Sequence, residues 1–498
     1  MSQAETENSI FLSPIFWEYP KMKWQGKTLT VYPPENLQAD RTYVLTVGAG
    51  AFDSHNNRIG KSVSYAYSTG ASIDSGAISG ALFFDEQNRS TYDIWAYDLQ
   101  NPDSLPLWNN IPDFVTQLDS LGKFELIHLN AGNFLIVAVE DKNDDLFWDP
   151  QNEGIGLPPD LYKLGPNDKI TELVLRPIRR DTAAAYISKA TAPDKNKITI
   201  ENSQPVSESL ALKSSSYLIK SQDSDSSILQ IFGVYLGIEN RIMIETSDQD
   251  PDTRYKIYPQ NLQSIWGNQF DSNGIEFRSH DSPDTTGPFL IKTIPAGSPG
   301  IVQQDTLISL YFSERIAPEN IARSILVVAD SLDTLKFIPL LQKPNQLDLK
   351  FLSKIPRDSD IDVKVYSDSI RDSYGNYSPD SLFEFKFRIA PLDTFGTVIV
   401  SARDQIGYPI LARLIELGRS PNIYEAKADK KGTIVFKSVL PGSYSFSYFV
   451  DSDNDGAWTP GFLTPLIFAE YFNFLPDTIA VRSRWQTDIG EISVPNGK

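Results

Sequence analysis

Short runs in which apolar and polar residues alternate recur along the whole chain. This alternation has the period of a β-strand with one buried face, and the Asp, Asn, Gly, Ser and Pro residues between the runs are typical of turns. The runs often follow one another at intervals of about 8 to 12 residues, which is the spacing expected of β-sandwiches. The sequence therefore predicts an all-β fold. The clearest runs are KTLTVYP, TYVLTV, FLIVAVE, RIMIET, DIDVKVY, FEFKFRI, GTVIVSA and YSFSYFV.

Helical periodicity is weak by comparison. The best candidates are residues 317–325 (APENIARSI) and 149–164 (DPQNEGIGLPPDLYKL), and each predicts at most one or two turns of helix. With 498 residues the chain is too long for a single hydrophobic core, so we expect roughly three to five domains.

Two parts of the chain superpose without a gap when the sequence is shifted by 310 residues. A match of this length predicts two copies of one β domain, at about 74–178 and 392–496. We expect the Asp and Gly residues of each copy to form tight turns and the aromatic residue after the second glycine to face the core. The shift aligns Asp119-x-x-Gly122 with Asp429-x-x-Gly432, Gly132-x-Phe134 with Gly442-x-Tyr444, Asp141-x-Asn143-x-Asp145 with Asp451-x-Asp453-x-Asp455, Trp148 with Trp458, and Pro150 with Pro460.

The order of these motifs resembles that of carboxypeptidase-regulatory-like, transthyretin-like (prealbumin-like) and CnaB-like sandwiches. Their pattern is D-x-x-G-x-F, then L-x-P-G-x-Y, then a strand that ends in D-x-N-x-D-G. The resemblance spans most of each copy and implies a prealbumin-like β-sandwich for both.

A second repeat occupies residues 181–279 and 284–390. Each member passes through a strand that ends near NSQPV (202–206) or FSERI (312–316) and closes on Gly-Asn, with Ser264 in the place of Asp372. These segments resemble bacterial Ig-like domains of the SbsA type. Residues 1–71 resemble the second half of the same domain, and we expect about four strands there, with the first strands missing. Either the start is clipped, which we favour, or a partial sandwich packs on its neighbour and covers its edges.

Taken whole, the order of domains resembles that of envelope lipoproteins from Bacteroidetes and their relatives. The resemblance implies a place in the cell envelope, associated with the outer membrane on its periplasmic or surface side, or outside the cell. Members of that group begin with a signal peptide and a lipidated cysteine, and this sequence shows neither. Membrane anchoring would therefore require a missing lipidated N-terminal segment. The group has no established activity.

Composition narrows the classes of function. The chain has 64 acidic and 45 basic residues, a net charge of −19, which argues against nucleic acid as a partner. It has no cysteine, which excludes disulfides and thiolate metal sites, and it has no run of 18 apolar residues that would span a membrane. Its three histidines stand in unrelated surroundings, and a G-x-S-x-G element is absent. We therefore expect no enzymatic activity and no cofactor beyond a metal ion.

The duplicated Asp-rich loops are the one candidate metal site. The loop that begins at Asp451 reproduces positions 1, 3, 5 and 6 of an EF-hand-type calcium loop, but Phe462 stands where that loop has its bidentate glutamate. The alternative is a polar turn in which Asp and Asn bind their own backbone. We predict a weak, structural calcium site or a bare turn. The candidate ligands are Asp451, Asp453, Asp455, Asp141, Asn143, Asp145 and Asp149, with Glu153 nearby.

Two classes of function remain open from the sequence. The favoured one is a non-enzymatic envelope or surface protein that acts as a spacer and interaction module, with a protein or glycan partner. The alternative is a carbohydrate-binding or accessory module of an extracellular hydrolase system, which would need exposed aromatic residues in a concave cluster. We expect most tryptophans to lie in cores or between domains instead. The tryptophans considered are Trp95, Trp108, Trp148, Trp266, Trp458 and Trp485.

Overall fold

In a computed structural model of the chain, nearly all of the regular secondary structure is β-strand, so the predicted all-β fold of tandem sandwiches is confirmed. It forms two compact units, Met1–Arg180 with Phe395–Lys498, and Asp181–Thr394. Within the described ranges, no helix reaches the length and apolar character that crossing a bilayer requires. The structure describes residues 6–16, 20–34, 37–53, 55, 57–84, 92–99, 110–179, 183–223, 227–295, 301–302, 307–319, 321–331, 333–403, 407–418, 421–463 and 466–494.

Helices are few and short among the described residues. The first predicted candidate contains a single 3₁₀ turn, Ile321–Arg323. The second prediction, over 149–164, was wrong, because Ile155–Gly156 pairs with a neighbouring strand and Pro158 follows it at once. The α-helical turn α1 (Glu208–Ala211) was not predicted. The remaining 3₁₀ turns are Ser214–Ser216, Ile238–Asn240, Ser367–Ser369 and Leu392–Thr394.

The first group of strands contains two small sheets. One is the sheet β1-β4-β5, and the other is the hairpin β2-β3. The described residues thus form five strands here, one more than the sequence suggested. The strands are β1 (Ile10–Ser13), β2 (Lys21–Gln25), β3 (Thr28–Tyr32), β4 (Thr42–Val47) and β5 (Val63–Ser68).

The first copy of the duplicated domain follows. Its sheets run β13-β6-β9 and β11-β10-β7-β8, with β12 also paired to β10, and β13 lies parallel to β6. The two sheets enclose one core around Phe124, Phe134 and Ile136. The strands are β6 (Gly76–Leu82), β7 (Asp93–Asp98), β8 (Phe114–Gln117), β9 (Lys123–Leu129), β10 (Gly132–Val139), β11 (Ile155–Gly156), β12 (Tyr162–Leu164) and β13 (Lys169–Leu175).

The second unit contains two Ig-like sandwiches. The first has the sheets β14-β15-β18-β17 and β16-β19-β20. Its strands are β14 (Ile187–Asp194), β15 (Lys197–Asn202), β16 (Tyr217–Ser221), β17 (Ile231–Leu236), β18 (Ile242–Thr246), β19 (Arg254–Pro259) and β20 (Ile275–Arg278).

The second Ig-like sandwich repeats this arrangement with extra short strands. Its sheets run β21-β23-β27-β26 and β22-β29-β28-β24-β25. Its strands are β21 (Leu290–Ile294), β22 (Ile301–Val302), β23 (Ile308–Phe312), β24 (Ile325–Ala329), β25 (Asp333–Thr334), β26 (Phe337–Lys343), β27 (Gln346–Phe351), β28 (Ser359–Val365) and β29 (Phe383–Ile389).

The second copy of the duplicated domain has the topology of the first. Its sheets run β33-β30-β38 and β32-β31-β34-β37, and β38 again lies parallel to the first strand of the copy. The hairpin β35-β36 is an addition. The strands are β30 (Gly396–Arg403), β31 (Ile410–Glu416), β32 (Ile423–Lys427), β33 (Thr433–Val439), β34 (Gly442–Val450), β35 (Phe462–Leu463), β36 (Leu466–Ile467), β37 (Phe472–Val481) and β38 (Gln486–Ser493). The predicted limits of the domains stay predictions.

The predicted turns of the two copies are present. Asp119 accepts the backbone N–H groups of Leu121 and Lys123, and Asp429 makes the equivalent pair of bonds in the second copy. Gly122 and Gly432 have φ angles of 77° and 79°, which an L-residue adopts only with strain. The two core aromatics, Phe134 and Tyr444, are fully buried as predicted.

A second apolar core lies on the outer face of the first copy. Strand β10 is buried on both faces, which explains why its sequence, FLIVAV, is continuously apolar, whereas YSFSYFV in β34 alternates. Against that outer face pack residues from the first strand group and from the β35-β36 region of the second copy. The three parts of the first unit therefore share one core. The contributing side chains include Phe11, Ile15, Trp95, Leu135, Val137, Trp458, Leu466, Phe468 and Ala469.

Candidate cation-binding loops

Residues 451–456 form a loop directly after β34 that is held by its own carboxylates. Asp451 Oδ1 accepts the backbone N–H of Asp455 at 3.0 Å, and its Oδ2 accepts that of Gly456 at 3.2 Å. Asp453 Oδ1 also accepts the Asp455 N–H, at 3.1 Å. The glycine has a φ of 81°, as a sharp turn requires. Asp455 itself turns outward and accepts the N–H of Ala457.

The loop of the first copy repeats this geometry. Asp141 accepts the N–H groups of Asp145 and Leu146, and Asn143 accepts that of Asp145 at 3.4 Å. Leu146 replaces the glycine, yet it adopts the same left-handed conformation, with a φ of 61°. Its side chain is buried in the shared core, which offsets the strain of that conformation.

A buried glutamate that sequence reasoning missed completes the second loop. Glu470 accepts the backbone N–H groups of Ser452 at 2.5 Å and Thr459 at 3.0 Å. Its own carbonyl accepts the indole N–H of Trp458. One carboxylate oxygen of Glu470 lies within 4.8 Å of one from each of Asp451 and Asp453. The three oxygens therefore face a common point, where a hard cation such as calcium finds its preferred ligands.

Glu153 has the same role in the first copy. It accepts the N–H groups of Lys142 and Asp149 at 2.9 and 2.8 Å, and its carbonyl accepts the indole N–H of Trp148. A shift of 310 residues carries Glu153 to position 463, seven residues short of Glu470. The hairpin β35-β36 occupies that interval, so the insertion hides the equivalence from an ungapped comparison.

Asp149, predicted as a ligand, turns away into the next bend of the chain. Its carboxylate accepts the N–H of Gln151 and the side-chain amide of Asn152, and these bonds hold its pKa below the ordinary value. The corresponding residue, Thr459, donates its hydroxyl to Asp453.

Negative charge accumulates in both loops. Burial raises the pKa of Glu470, and the charge of Asp453 adds to the effect. Burial likewise raises the pKa of Asp141 to about 6, with contributions from Glu153 and Asp145. None of the ion pairs between described residues joins these loop carboxylates to a lysine or arginine. A bound cation would favour the charged form of these carboxylates against both burial and their mutual repulsion.

A different turn recurs at three places in the chain, around Asp53, Ser264 and Asp372. Asp372 accepts the N–H groups of Tyr374 and Asn376, and its second oxygen accepts the Asn376 side chain. Asp53 makes the same bonds with His55 and Asn57. In the middle part, the hydroxyl of Ser264 accepts the corresponding two N–H groups, which explains how serine replaces aspartate there.

The second unit contains a buried ion cluster between its two sandwiches. The ammonium of Lys197, at the start of β15, lies 2.5 Å from Asp284 Oδ2 and in contact with the Glu314 carboxylate of the FSERI segment. Although burial opposes the charge, Glu314 and Asp284 raise the pKa of Lys197 above its ordinary value. Asp284, Glu314 and Asp372 have the spacing of a metal site, but the lysine already supplies the cation.

The neighbouring arginine of FSERI reinforces this joint. Arg315 Nε lies 2.6 Å from Glu245 Oε2, and its Nη2 donates to the carbonyl of Phe232 at 2.9 Å. Asn345 Nδ2 donates to the carbonyl of Leu236 at 2.7 Å. The side chains of Arg315 and Asn345 therefore both link the second sandwich to the first.

The tryptophans do not gather on one surface among the described residues. Trp95 is buried, whereas Trp148, Trp266 and Trp458 are half-buried. Trp485 is exposed. Trp108 lies outside the described residues.

No curated protein matches this chain. The solved structures that it resembles are 7–12% identical to it, with TM-scores below 0.2. The N-terminal part of the bacterial S-layer protein SbsC matches at 11% identity over 41% of this chain and 44% of that one, with a TM-score of 0.18. BcpA, the major pilin subunit of Bacillus cereus, matches at 12% over 62% and 98%, with a TM-score of 0.15. The Escherichia coli adhesin FdeC matches at 8% over 71% and 94%, also with a TM-score of 0.15.

This chain spans about half the length of the SbsC structures that it matches. At the level of families, one segment is assigned: residues 284–388 match the bacterial Ig-like domain.

Proposed function

We propose that the protein is a non-enzymatic component of the bacterial cell envelope or surface that serves as a spacer and interaction module. The observation that carries the proposal is that neighbouring sandwiches are joined by buried contacts within each unit. A spacer must hold its modules in fixed relation, and independent domains on flexible linkers do not.

The first unit is joined by the shared apolar core and by aromatic contacts. The guanidinium of Arg176, in the first copy, lies 4.4 Å from the ring centre of Trp458 and 4.8 Å from that of Phe472, both in the second. Phe83 packs against Phe472 and Phe474. A cation over aromatic rings at this distance adds about 0.5 to 2 kcal/mol to the apolar contact.

In the second unit, buried ion pairs and hydrogen bonds join the two sandwiches. Lys197, Asp284 and Glu314 form a buried cluster, and Arg315 and Asn345 hydrogen-bond to the preceding sandwich. The net stability that a buried ion pair contributes is small, because the cost of desolvation offsets the attraction between the charges. We propose that this cluster fixes the angle of the joint.

The family proposal is more specific. The bacterial Ig-like match at 284–388, with the repeated turn at Asp53, Ser264 and Asp372, supports SbsA-type domains in all three Ig-like parts. The duplicated topology with a parallel first and last strand supports regulatory-like, CnaB-like sandwiches for the two copies. We propose an envelope lipoprotein of the Bacteroidetes type on the order of these domains.

Localisation tests this proposal. In the bacterium that carries the gene, antibody detection after cell fractionation should recover the native protein from the envelope, or from the medium. Protease treatment of intact cells then separates a surface location from a periplasmic one. Recovery from the cytosol alone would contradict the proposal.

We further propose that the second acidic loop binds calcium through Asp451, Asp453 and Glu470, and that the first loop binds it more weakly because Asn143 replaces one carboxylate. The support is the convergence of three oxygens and the repulsion between them. Such a site belongs to the weak class that is filled at millimolar extracellular calcium.

Terbium luminescence tests the calcium proposal. Trp458 donates its N–H to the Glu470 carbonyl, so it stands close enough to sensitise a lanthanide in the loop. We expect terbium emission that calcium displaces and that Asp453→Asn weakens. Asp429→Asn is the matched control, because Asp429, like Asp453, holds a turn through hydrogen bonds to its carboxylate but lies outside the acidic cluster. Equal emission from both variants would reduce the loop to a turn.

A further inference from the structure

The two outer faces of the second Ig-like sandwich differ in their chemistry. The outer face of β28 and β29 is covered by ion pairs that cross from one strand to the next, as the register of these strands allows. The pairs are Lys364 with Glu384 at 2.8 Å, Lys386 with Asp362 at 3.0 Å, and Arg388 with Asp358 and Asp360 at 2.7 and 2.9 Å. Such a polar face is typical of a sheet surface that stays in water.

The outer face of the other sheet, β21-β23-β27-β26, is apolar instead. Leu310 and Leu349 face the core, so the residues next to them in β23 and β27 face outward. The register places Ile294 and Leu340 in one row across this outer face and Ile338 in the next row. Leu352 follows beyond β27. The exposed fractions are 39% for Ile294, 47% for Ile338, 36% for Leu340 and 63% for Leu352.

Two short polar side chains lie beneath this apolar surface. Ser309 and Asp348 stand in the row between Ile294 and Leu340 and are buried among longer side chains. The carboxylate of Asp348 accepts the side-chain amide of Gln346 at 3.1 Å. Asp348 is the one acidic residue on the described strands of this sheet, so the exposed part of the face carries no negative charge from them.

Three exposed lysines stand among the exposed apolar residues. Lys350 lies opposite Ile338, the carbonyl of Lys336 accepts the backbone N–H of Leu352, and Lys292 lies on β21. None of the ion pairs between described residues includes any of these three lysines, in contrast to the cations of the opposite face. The face therefore combines aliphatic side chains with cations that have no counter-charge on it.

The equivalent face of the first sandwich shows what a protein occupant requires. There the outer face of β14-β15-β18-β17 receives the second sandwich, and its charges are matched, Lys197 with Glu314 and Glu245 with Arg315. Lysine is strongly hydrated and is depleted at protein interfaces, so a face with unmatched lysines is poorly suited to such a joint. Pro339 in the outermost strand also discourages the pairing of an added strand.

We propose that this face of the second Ig-like sandwich binds the surface of a membrane that contains anionic phospholipids. Ile338, Leu340 and Leu352 enter the boundary between headgroups and acyl chains. The lysines lay their apolar stems along this boundary and keep their ammonium groups hydrated beside the lipid phosphates.

The net charge of −19 does not prevent this contact. At physiological ionic strength, charges beyond about 8 Å are largely screened, so the lysines on the face determine the local attraction. The inference goes beyond the proposed spacer role, because it gives the second unit a surface that orients it on a membrane. A vesicle assay with the purified chain tests it wherever the protein resides.

The assay is cosedimentation of the full chain with vesicles of phosphatidylcholine and phosphatidylglycerol, compared with vesicles of phosphatidylcholine alone. We expect binding to the anionic vesicles that weakens as salt is added. The double variant Lys292→Gln, Lys350→Gln should lower the affinity about 30-fold, because it removes the attraction of two lysines to an anionic surface. Leu352→Ser should also weaken binding, because it removes an apolar side chain that enters the membrane.

The matched control is the double variant Lys364→Gln, Lys386→Gln on the opposite face, which has the same net charge. It should bind as the wild type does. If the folded wild type does not bind anionic vesicles, the inference is wrong. Equal losses in the two double variants would reduce the binding to a non-specific effect of net charge and would also overturn it. Self-association that Lys292→Gln, Lys350→Gln abolishes, without vesicle binding, would replace the membrane by a second copy of the chain.

Discussion

Replacing Lys197 by methionine removes, among the described residues, the cation that pairs with Asp284 and Glu314 in the joint between the two Ig-like sandwiches. The lysine side chain is 6% exposed and contacts Asp284 and Glu314, whose oxygens lie within 4.8 Å of each other and of Asp372. Methionine keeps the length and apolar stem of the side chain but leaves these carboxylates without a counter-charge.

Removing one partner of a buried ion pair costs about 3 to 5 kcal/mol. In a unit of the size of residues 181–394, each kcal/mol lowers the unfolding midpoint by about 2 to 4 °C, so Lys197→Met should lower it by about 6 to 20 °C. The deficit should shrink in acid. Burial raises the pKa of Glu314 to about 7, with contributions from Asp284 and Asp372, so a proton relieves the repulsion as the pH falls below 7.

Differential scanning calorimetry at pH 8 and pH 5 measures both effects. Lys195→Met is the control, because Lys195 pairs with Asp248 at 2.6 Å in an exposed position two residues away. Exposed pairs contribute about 0 to 1 kcal/mol, so this variant should move the midpoint by no more than about 4 °C. If Lys197→Met behaves like Lys195→Met at both pH values, the buried cluster does not hold the joint.

Two further outcomes are expected for the first unit. Phe468→Ala should lower the free energy of unfolding of this unit by about 1 to 3 kcal/mol, because the ring packs in the shared core. Ile467→Ala, at an exposed neighbouring residue, should lower it by less than about 0.5 kcal/mol. Equal losses of stability in urea unfolding would exclude a shared core. Without calcium, the stability of this unit should fall as the pH rises from 4 to 8. Burial raises the folded-state pKa of Asp141 to about 6 and that of Asp93 to about 7, and stability is lost between the pKa values of the unfolded and folded states. If the thermal midpoint of Asp141→Asn depends on pH as strongly as that of the wild type, Asp141 is not a source of this dependence.

Sequence alone was sufficient for features that depend on neighbours in the chain. The Asp119–Gly122 turn and its copy follow from side chains that bind their own backbone and from a glycine at positive φ, and both lie where the repeat placed them. The strands follow from alternation.

Features that depend on residues far apart in the chain could not be predicted from the sequence. Glu470 joins the loop of Asp451 only because a hairpin inserted between them folds back, whereas the spacing of an EF-hand-type loop pointed to Phe462 instead. Lys197 finds Glu314 across 117 positions, and no local pattern marks either residue. The continuous apolar run of β10 was noted as a strand, but that run alone does not say what covers its second face.

We expect buried contacts to join the sandwiches into two cooperative units, as a spacer requires, and calorimetry of the whole chain measures this cooperativity. Two unfolding transitions are expected, one of which requires residues 395–498 and residues 1–180 together. Phe468→Ala should shift only that transition, and Lys197→Met only the other. Separate transitions for the two duplicated domains, or a Phe468→Ala shift confined to one of them, would contradict it.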